Sequence, residues 1–146
     1  MKKIYCVILF LLICLVSARA QSFELIDAPA SMNVTIGERI VLPVAIRNTT
    51  DRPLQLIVQR TDYILGTGQT NYFCWGSDCF TPETERMPVS KRLGARSSTE
   101  NFKIILETGL NAGFSTVKYQ IFDRDNPMDV IEYEITFHIE ERSNTS

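Results

Sequence analysis

Residues 113–139 read GFSTVKYQIFDRDNPMDVIEYEITFHI, and this stretch predicts the fold of the whole chain. In its second half, apolar side chains recur at every second position with polar side chains between them. That alternation is typical of a strand with one buried face and one exposed face. The apolar residues are Ile131, Tyr133, Ile135, Phe137 and Ile139. Tyr119 and Ile121 alternate in the same way before a polar break at residues 123–129, so the stretch predicts two antiparallel strands joined by an acidic turn.

The rest of the chain supplies further strands to cover that apolar face. Alternating runs bounded by turn residues predict strands at 22–27, 32–36, 39–47, 54–65 and 102–107. Pro43 cannot donate a ladder hydrogen bond, so we expect its strand at a sheet edge or beside a bulge. Residues 81–96 hold two prolines and mixed charge, which predicts a long connection that crosses between sheets. Together these signals predict an all-β fold, an immunoglobulin-like two-sheet antiparallel sandwich of about seven strands.

The first twenty residues match a secretory signal peptide. Two lysines precede an apolar run over residues 7–16, and an Ala-Arg-Ala cleavage pattern ends at Ala20. The apolar run is shorter than the roughly 18–20 residues of a membrane span, so no stable membrane insertion is expected. We therefore expect residues 1–20 to be removed, residues 21–141 to form the sandwich and residues 142–146 to be a disordered tail. The mature protein would be exported, and either periplasmic, at the cell surface or extracellular.

The charge balance narrows the classes of partner. The sequence has 15 basic and 17 acidic residues. Removal of the first twenty residues takes three of the basic ones, which leaves a mature net charge of about −5 when His138 is neutral. The sequence shows no lysine run and no basic patch, so neither nucleic acid nor an anionic membrane is an expected partner.

Cys74 and Cys79 are the two cysteines that remain after residue 20. In an oxidising compartment, such a pair predicts one disulfide. A loop this short gains only about 2 kcal/mol from chain entropy, so the expected role of the bridge is local shape. A redox role is not expected, because catalytic pairs usually lie two residues apart at the start of a helix and no helix is predicted here.

The segment around this bridge is the candidate binding site, and residues 72–80 read YFCWGSDCF. Rigid aromatic side chains can offer contact area to a protein or a sugar, and Gly76 would allow a positive φ in a tight loop. The candidate binding residues are Tyr72, Phe73, Trp75, Gly76, Asp78 and Phe80. The alternative, which we favour, is that the rings close one end of the sandwich, because large aromatic side chains are usually buried.

Two polar features offer candidate metal ligands. The acidic turn holds Asp123, Asp125 and Asp129, whose oxygens could bind calcium. Asp, Asn and Pro are also what a plain turn requires, and we favour that interpretation. His138 is the single histidine and falls on the predicted polar face, where a plain surface role is more typical than a metal-ligand role. The sequence shows no catalytic motif and no cofactor-binding motif, so we predict a protein that is not an enzyme and has no cofactor.

Two strings resemble a family of exported Bacteroidetes proteins. Residues 73–80, followed by Pro82, resemble its aromatic-Cys-Trp-Gly-x-x-Cys-aromatic signature, and residues 113–129 resemble its closing hairpin. The residues that carry the second likeness are Ser115, Val117, Tyr119, Phe122, Asp123, Asn126, Pro127 and Asp129. The resemblance covers most of the mature chain and implies an immunoglobulin-like or fibronectin-like sandwich without catalytic residues. In that family a sorting domain for the type IX secretion system usually follows, and because this sequence carries none, a periplasmic or cell-surface adaptor is equally expected.

Three functions follow from these patterns. The first is a non-catalytic exported adaptor that binds a protein or cell-surface partner through the Cys74–Cys79 loop. The second is a carbohydrate-binding module that stacks sugars on Trp75 and Tyr72, and the exposure of Trp75 separates it from the first. The third is a periplasmic metal-binding protein that uses His138 or the acidic turn, which requires ligands within about 2.0–2.6 Å of one point.

Overall fold

The computed structural model describes residues 21–142. All the secondary-structure elements within that range are β-strands. The predicted signal peptide and the last four residues of the predicted tail lie outside the described residues. No helix long and apolar enough to cross a membrane is found in the described range. The twelve strands are β1 Phe23–Ile26, β2 Ser31–Thr35, β3 Arg39–Pro43, β4 Ala45–Asn48, β5 Leu54–Ile64, β6 Thr70–Trp75, β7 Asp78–Cys79, β8 Lys91–Leu93, β9 Ser98–Thr99, β10 Phe102–Glu107, β11 Gly113–Asp123 and β12 Asn126–Glu140.

The first layer of the sandwich is a five-stranded sheet built around the hairpin of β11 and β12. Its strand order is β2-β12-β11-β5-β8. Ile135 and Phe137 are fully buried, as their alternation predicts. The break between the strands is shorter than expected, because β12 already begins at Asn126. The register of the ladder shifts beside Phe122, and Pro127 has no ladder partner there. Its nitrogen, which cannot donate a hydrogen bond, is therefore compatible with the strand.

The second layer is made of two ladders that meet at Val44. The strand orders are β1-β4-β9 and β3-β10-β6-β7. The Val44 N–H donates to the carbonyl oxygen of Phe102 at 2.8 Å, which joins the ladders across the gap between β3 and β4. Pro43 therefore stands at the end of an edge strand and beside an interruption, in agreement with its predicted position. This interruption divides the predicted strand at 39–47 into β3 and β4, and the strands β6 to β9 account for the rest of the difference between the seven predicted strands and the twelve observed.

The N-terminal segment contributes a strand to each layer. β1 pairs with β4 in antiparallel fashion, and β2 pairs with β12 in parallel. Between them the chain turns at Asp27, which has a φ of 52°, and at Pro29, which ends the first strand as predicted. The segment thus closes one side of the sandwich by bridging the two layers.

The connection at residues 81–96 also crosses between layers, as predicted. It leaves β7 in the second layer, places β8 beside β5 in the first, and returns to β9 in the second. It is more ordered than its composition suggests, because Met87 is buried and the Met87 N–H donates to the Val58 carbonyl oxygen at 3.1 Å. The predicted two-layer all-β sandwich is therefore confirmed, and this crossing brings the connection close to the hairpin of β6 and β7.

Candidate interaction surface

The hairpin of β6 and β7 carries the two cysteines. Cys74 and Cys79 lie opposite each other in the ladder and form a disulfide with their Cα atoms 4.0 Å apart, which confirms the predicted bridge. Gly76 and Ser77 make the turn between the strands, and Gly76 has a φ of 61°. A glycine with positive φ at the first position of a two-residue turn is typical of a type II′ hairpin. The turn residue and the bridge together fix the shape of this tip.

Alternation along β6 sends its aromatic rings to opposite faces of the sheet. Phe73 is fully buried and Trp75 is 7% exposed, both on the inner face. The Phe73 ring centroid lies 5.0 Å from that of Phe80 and 5.6 Å from that of Tyr119, with the second pair edge to face. Such geometry is typical of aromatic pairs in a packed core. The rings of Phe73 and Trp75 therefore belong to the interior of the sandwich, in agreement with the favoured prediction that the aromatic rings close one end of it.

Tyr72 lies on the outer face, between the two inward rings of its strand. The Tyr72 hydroxyl accepts hydrogen bonds from Arg39 Nη2 at 2.8 Å and from Arg39 Nε at 3.2 Å. Cys74 shares that face because it is two residues further along the strand. The bridge thus lies on the outer side of the sheet, where Cys74 is buried and Cys79 is exposed.

A recess of about 430 Å³ opens beside the tip of the hairpin. We call it the hairpin recess; its lining residues are Ser77, Asp78, Cys79, Phe80, Pro88, Val89 and Lys91. Val89 is 66% exposed in it, so the recess presents apolar surface to solvent. At its rim, Lys91 Nζ donates to Asp78 Oδ2 at 2.7 Å. An exposed ion pair contributes little stability, so its main effect is to give the rim a polar character.

Buried Arg60 holds the connection that forms one wall of the hairpin recess. Its Nη1 donates to both oxygens of Asn71, at 3.0 and 2.9 Å, and its Nη2 donates to the Pro82 carbonyl oxygen at 2.6 Å. The same Nη2 donates to Glu85 Oε1 at 3.0 Å. Asn71 belongs to the second layer and Arg60 to the first, so one guanidinium ties both layers to the crossing chain. Charge-assisted hydrogen bonds of this kind are stronger than neutral ones, and they hold the connection at Pro82 and Glu85, just before the wall residues Pro88 and Val89.

The six predicted binding residues therefore do not share one surface. Asp78 and Phe80 line the hairpin recess, and Gly76 shapes the turn beside it. Tyr72 lies on the outer face of the sheet, whereas Phe73 and Trp75 are interior. A stacking platform of Trp75 and Tyr72 is not formed, because the Trp75 ring has no exposed face.

The residues on the opposite wall, Pro88, Val89 and Lys91, are not among the predicted binding residues. They come from the connection at 81–96, which was interpreted only as a crossing. Their proximity to the hairpin depends on the path of the chain between layers, and no local periodicity encodes that path. The sequence signal there is a proline flanked by two apolar residues, Met87 and Val89.

The three carboxylates of the acidic turn each have a separate partner, and that of Asp125 is Arg124, whose Nε donates to Asp125 Oδ1 at 3.3 Å. Buried Asp123 accepts hydrogen bonds from Arg52 Nη1 at 3.4 Å and from the Asp125 N–H at 3.1 Å. Asp129 Oδ1 accepts from the Ser22 N–H at 3.2 Å. Over residues 21–142, no group of three or more His, Cys, Asp or Glu side chains converges on a point. The three carboxylates thus act as caps and pairs that hold the turn and the N-terminal segment.

Two buried tyrosines support the layers beneath these surfaces. Burial raises the pKa of Tyr119 far above its usual value, although the hydrogen bond from its hydroxyl to Asn71 Oδ1 at 3.1 Å opposes that rise. Burial also raises the pKa of Tyr133 to about 12. Both phenols therefore stay protonated at neutral pH and act as hydrogen-bond donors.

Comparison with protein-family models and with curated proteins gives no match. Solved structures do match, and they show that the fold is that of an immunoglobulin-like β-sandwich domain. One is the N-terminal domain of PorA, with a TM-score of 0.58 and 10% identity, over 84% of this chain and 98% of that one.

Two further matches are parts of larger proteins. One is Escherichia coli alpha-2-macroglobulin, with a TM-score of 0.54 and 17% identity, over 84% of this chain and 7% of that one. The other is the secreted serine protease VesC from Vibrio cholerae, with a TM-score of 0.51 and 9% identity, over 86% of this chain and 24% of that one. The structural similarity establishes the fold. The sequence identities are too low to indicate a function, so the function is argued from the surface.

Proposed function

We propose that this protein is a non-catalytic binding module whose hairpin recess receives another protein. The observation that carries the proposal is the recess itself, where exposed Val89 lies beside Phe80 and Pro88 within a polar rim. Apolar surface that stays exposed and is framed by polar groups is typical of a protein-binding site.

The rigidity of both walls supports this proposal. The Cys74–Cys79 bridge and the turn at Gly76 fix the hairpin, and Arg60 fixes the connection opposite. A surface that is already ordered loses less conformational entropy when a partner binds. The inward rings of Phe73 and Trp75 then serve as a scaffold that holds the hairpin against the core.

A protein partner is favoured over a sugar by the kind of surface on offer. Sugar stacking requires a flat aromatic face open to solvent, and Trp75 is buried. Tyr72 remains half-buried and is hydrogen-bonded to Arg39. The recess instead offers aliphatic and proline contacts, which suit an apolar protein side chain.

We also infer that the module is exported and related to the Bacteroidetes sandwich family that residues 73–80 and 113–129 resemble. A disulfide supports export, because such bonds persist in oxidising compartments. The fold shared with the PorA N-terminal domain is compatible with that relationship. The proposed location is the periplasm, the cell surface or the medium.

The test compares partner capture from envelope extract by wild-type protein and by two charge variants, with quantification by mass spectrometry. Val89→Asp places a carboxylate in the hairpin recess, and we expect at least a tenfold loss of the captured partner. Met128→Asp is the matched control, because Met128 is 81% exposed and lies outside the recess. Both variants must keep the wild-type melting temperature.

Equal capture by wild type and Val89→Asp would overturn the hairpin recess as the binding surface. Equal loss by both variants would show that added charge, rather than the recess, controls capture. Glycan-array binding that disappears in Tyr72→Ala would instead support the carbohydrate-binding alternative.

A further inference from the structure

The outer face of the five-stranded sheet carries a second exposed apolar patch, at the end of the sandwich where β11 begins. Ile64 lies opposite Thr116 in the ladder between β5 and β11. Phe114 is two residues from Thr116 and so shares its face. Ile64 is 66% exposed and Phe114 is 60% exposed. Together these two side chains place apolar surface on a sheet face whose neighbouring side chains are polar or charged, and exposed apolar surface with a polar border is a feature of binding sites.

A charged row borders this patch. Asp62, Lys118 and Glu134 lie side by side across three strands. Lys118 Nζ lies 3.5 Å from Glu132 Oε2. Hydrogen bonding from Gln120, followed by the charge of Lys118, lowers the pKa of the Glu132 carboxyl. Lys118, the only cation of the row, is thus paired with Glu132. The two remaining carboxylates, Asp62 and Glu134, give the border of the patch a net negative charge.

A groove of about 250 Å³ joins the apolar patch to the charged row. We call the patch, the row and the groove together the acidic face; the groove is lined by Asp62, Tyr63, Ile64, Thr116, Lys118 and Glu134. His138 lies opposite Phe114 in the ladder of β11 and β12 and is exposed, as its predicted place on the polar face requires.

The neighbouring edge of β5 is less suited to binding than this face. Along this edge, β5 is hydrogen-bonded to the crossing connection as far as Arg60, whose backbone N–H donates to the Glu85 carbonyl oxygen at 2.6 Å. The next four residues are exposed, but the Tyr63 N–H already donates to Asp62 Oδ1 at 2.8 Å. A side chain that occupies an edge N–H opposes the addition of another strand. A partner is therefore expected on the face and not along the edge.

We propose that the acidic face binds a cationic, extended segment of a second partner protein. An apolar side chain of that segment packs on Ile64 and Phe114, and a lysine or arginine side chain reaches Asp62 or Glu134 in the groove. The side chain of Lys118, on the strand between them, is directed toward Glu132 and leaves these two carboxylates to the incoming cation. Charge complementarity selects this occupant. A second copy of the chain would bring the same acidic row and would be repelled. Because the hairpin recess lies elsewhere on the molecule, the module would bridge two partners. The proposal for the acidic face does not depend on the proposal for the recess.

The experiment titrates the ¹⁵N-labelled mature protein with two hexapeptides and records ¹H–¹⁵N correlation spectra. One probe alternates lysine with valine, and the other alternates glutamate with valine. We expect the lysine probe to shift amides of the acidic face, including Ile64, Thr116 and Glu134, and the glutamate probe to cause no such shifts. Raising the ionic strength should weaken binding, because exposed charges are screened beyond about 8–10 Å.

Two substitutions locate the contacts. Phe114→Ser and Glu134→Gln should each weaken binding of the lysine probe at least fivefold. Val41→Ser changes an exposed apolar residue of β3 in the other layer and should leave binding unchanged. Equal affinity for both probes, shifts confined to another surface, or no effect of Glu134→Gln would each overturn the proposal. Shifts of the acidic face that depend on protein concentration alone would indicate a second copy as its occupant and would also overturn it.

Discussion

Two hairpins of this sandwich reach a fixed shape by different means. β11 and β12 have 11 and 15 residues and pair along almost their whole length. β7 has two residues, and its hairpin with β6 has two ladder pairs. The long hairpin is held by its ladder, so its outer side chains are free to vary. The short one depends on a disulfide and on inward aromatic rings, so its conspicuous sequence string is mainly structural.

This difference shows why a distinctive string need not be a binding surface. Phe73 and Trp75 attract attention in the sequence, yet they are the part of the short hairpin that no partner can reach. The exposed surface beside them is the hairpin recess, and it includes Val89 from the connection at 81–96. On the long hairpin the reverse holds, since Phe114 is a large apolar residue on the exposed face of β11.

The largest expected effect separates the inward and outward aromatic residues. Phe73→Ala should lower the free energy of unfolding by about 3–5 kcal/mol, because it leaves a cavity among buried rings. Phe114→Ala, the same change on an exposed ring, should cost about 0.5 kcal/mol or less. Urea unfolding followed by Trp75 fluorescence measures both. Similar losses in the two variants would remove the distinction between the hairpins.

A smaller effect is expected from the bridge. The double variant Cys74→Ser/Cys79→Ser should lose about 2 kcal/mol of unfolding free energy, the chain-entropy value for so short a loop. On the long hairpin, Thr116 and Thr136 hydroxyls lie 2.9 Å apart across the strands. Replacing both by alanine should cost about 1 kcal/mol or less. If the cysteine variant kept the stability of the wild type, the short hairpin would not depend on its disulfide.

The smallest expected effect concerns pH and Tyr119. Burial raises its pKa in the folded state, so between pH 10 and 11 the folded state holds a proton that the unfolded state loses. Stability is therefore fully present below pH 10 and falls as pH rises, by at most about 1.4 kcal/mol per pH unit for this group. Tyr119→Phe should flatten that fall, as measured by urea unfolding from pH 9 to pH 11. An unchanged slope would show that the phenol does not ionise on unfolding.

Local periodicity predicted most of the fold. The alternation around Tyr133 and Ile135 located the long hairpin, and Pro43 located an edge and an interruption. The acidic break was predicted too long, because hydrogen bonding along the ladder draws Asn126 into a strand despite its turn propensity. Of the residues that line the hairpin recess, Asp78 and Phe80 are among the predicted binding residues because they lie near the cysteines in sequence, whereas Val89 reaches the recess through the crossing of layers.

The most direct test of the proposed binding role places a benzophenone photo-cross-linking residue at Val89, at Phe114 or at Met128 in the full chain. Irradiation in envelope extract should yield a defined adduct from Val89 and none from Met128. An adduct of a different partner at Phe114 would add the acidic face as a second contact. If Val89 gave no adduct, or the same adducts as Met128, the hairpin recess would not be the surface at which this module binds a protein.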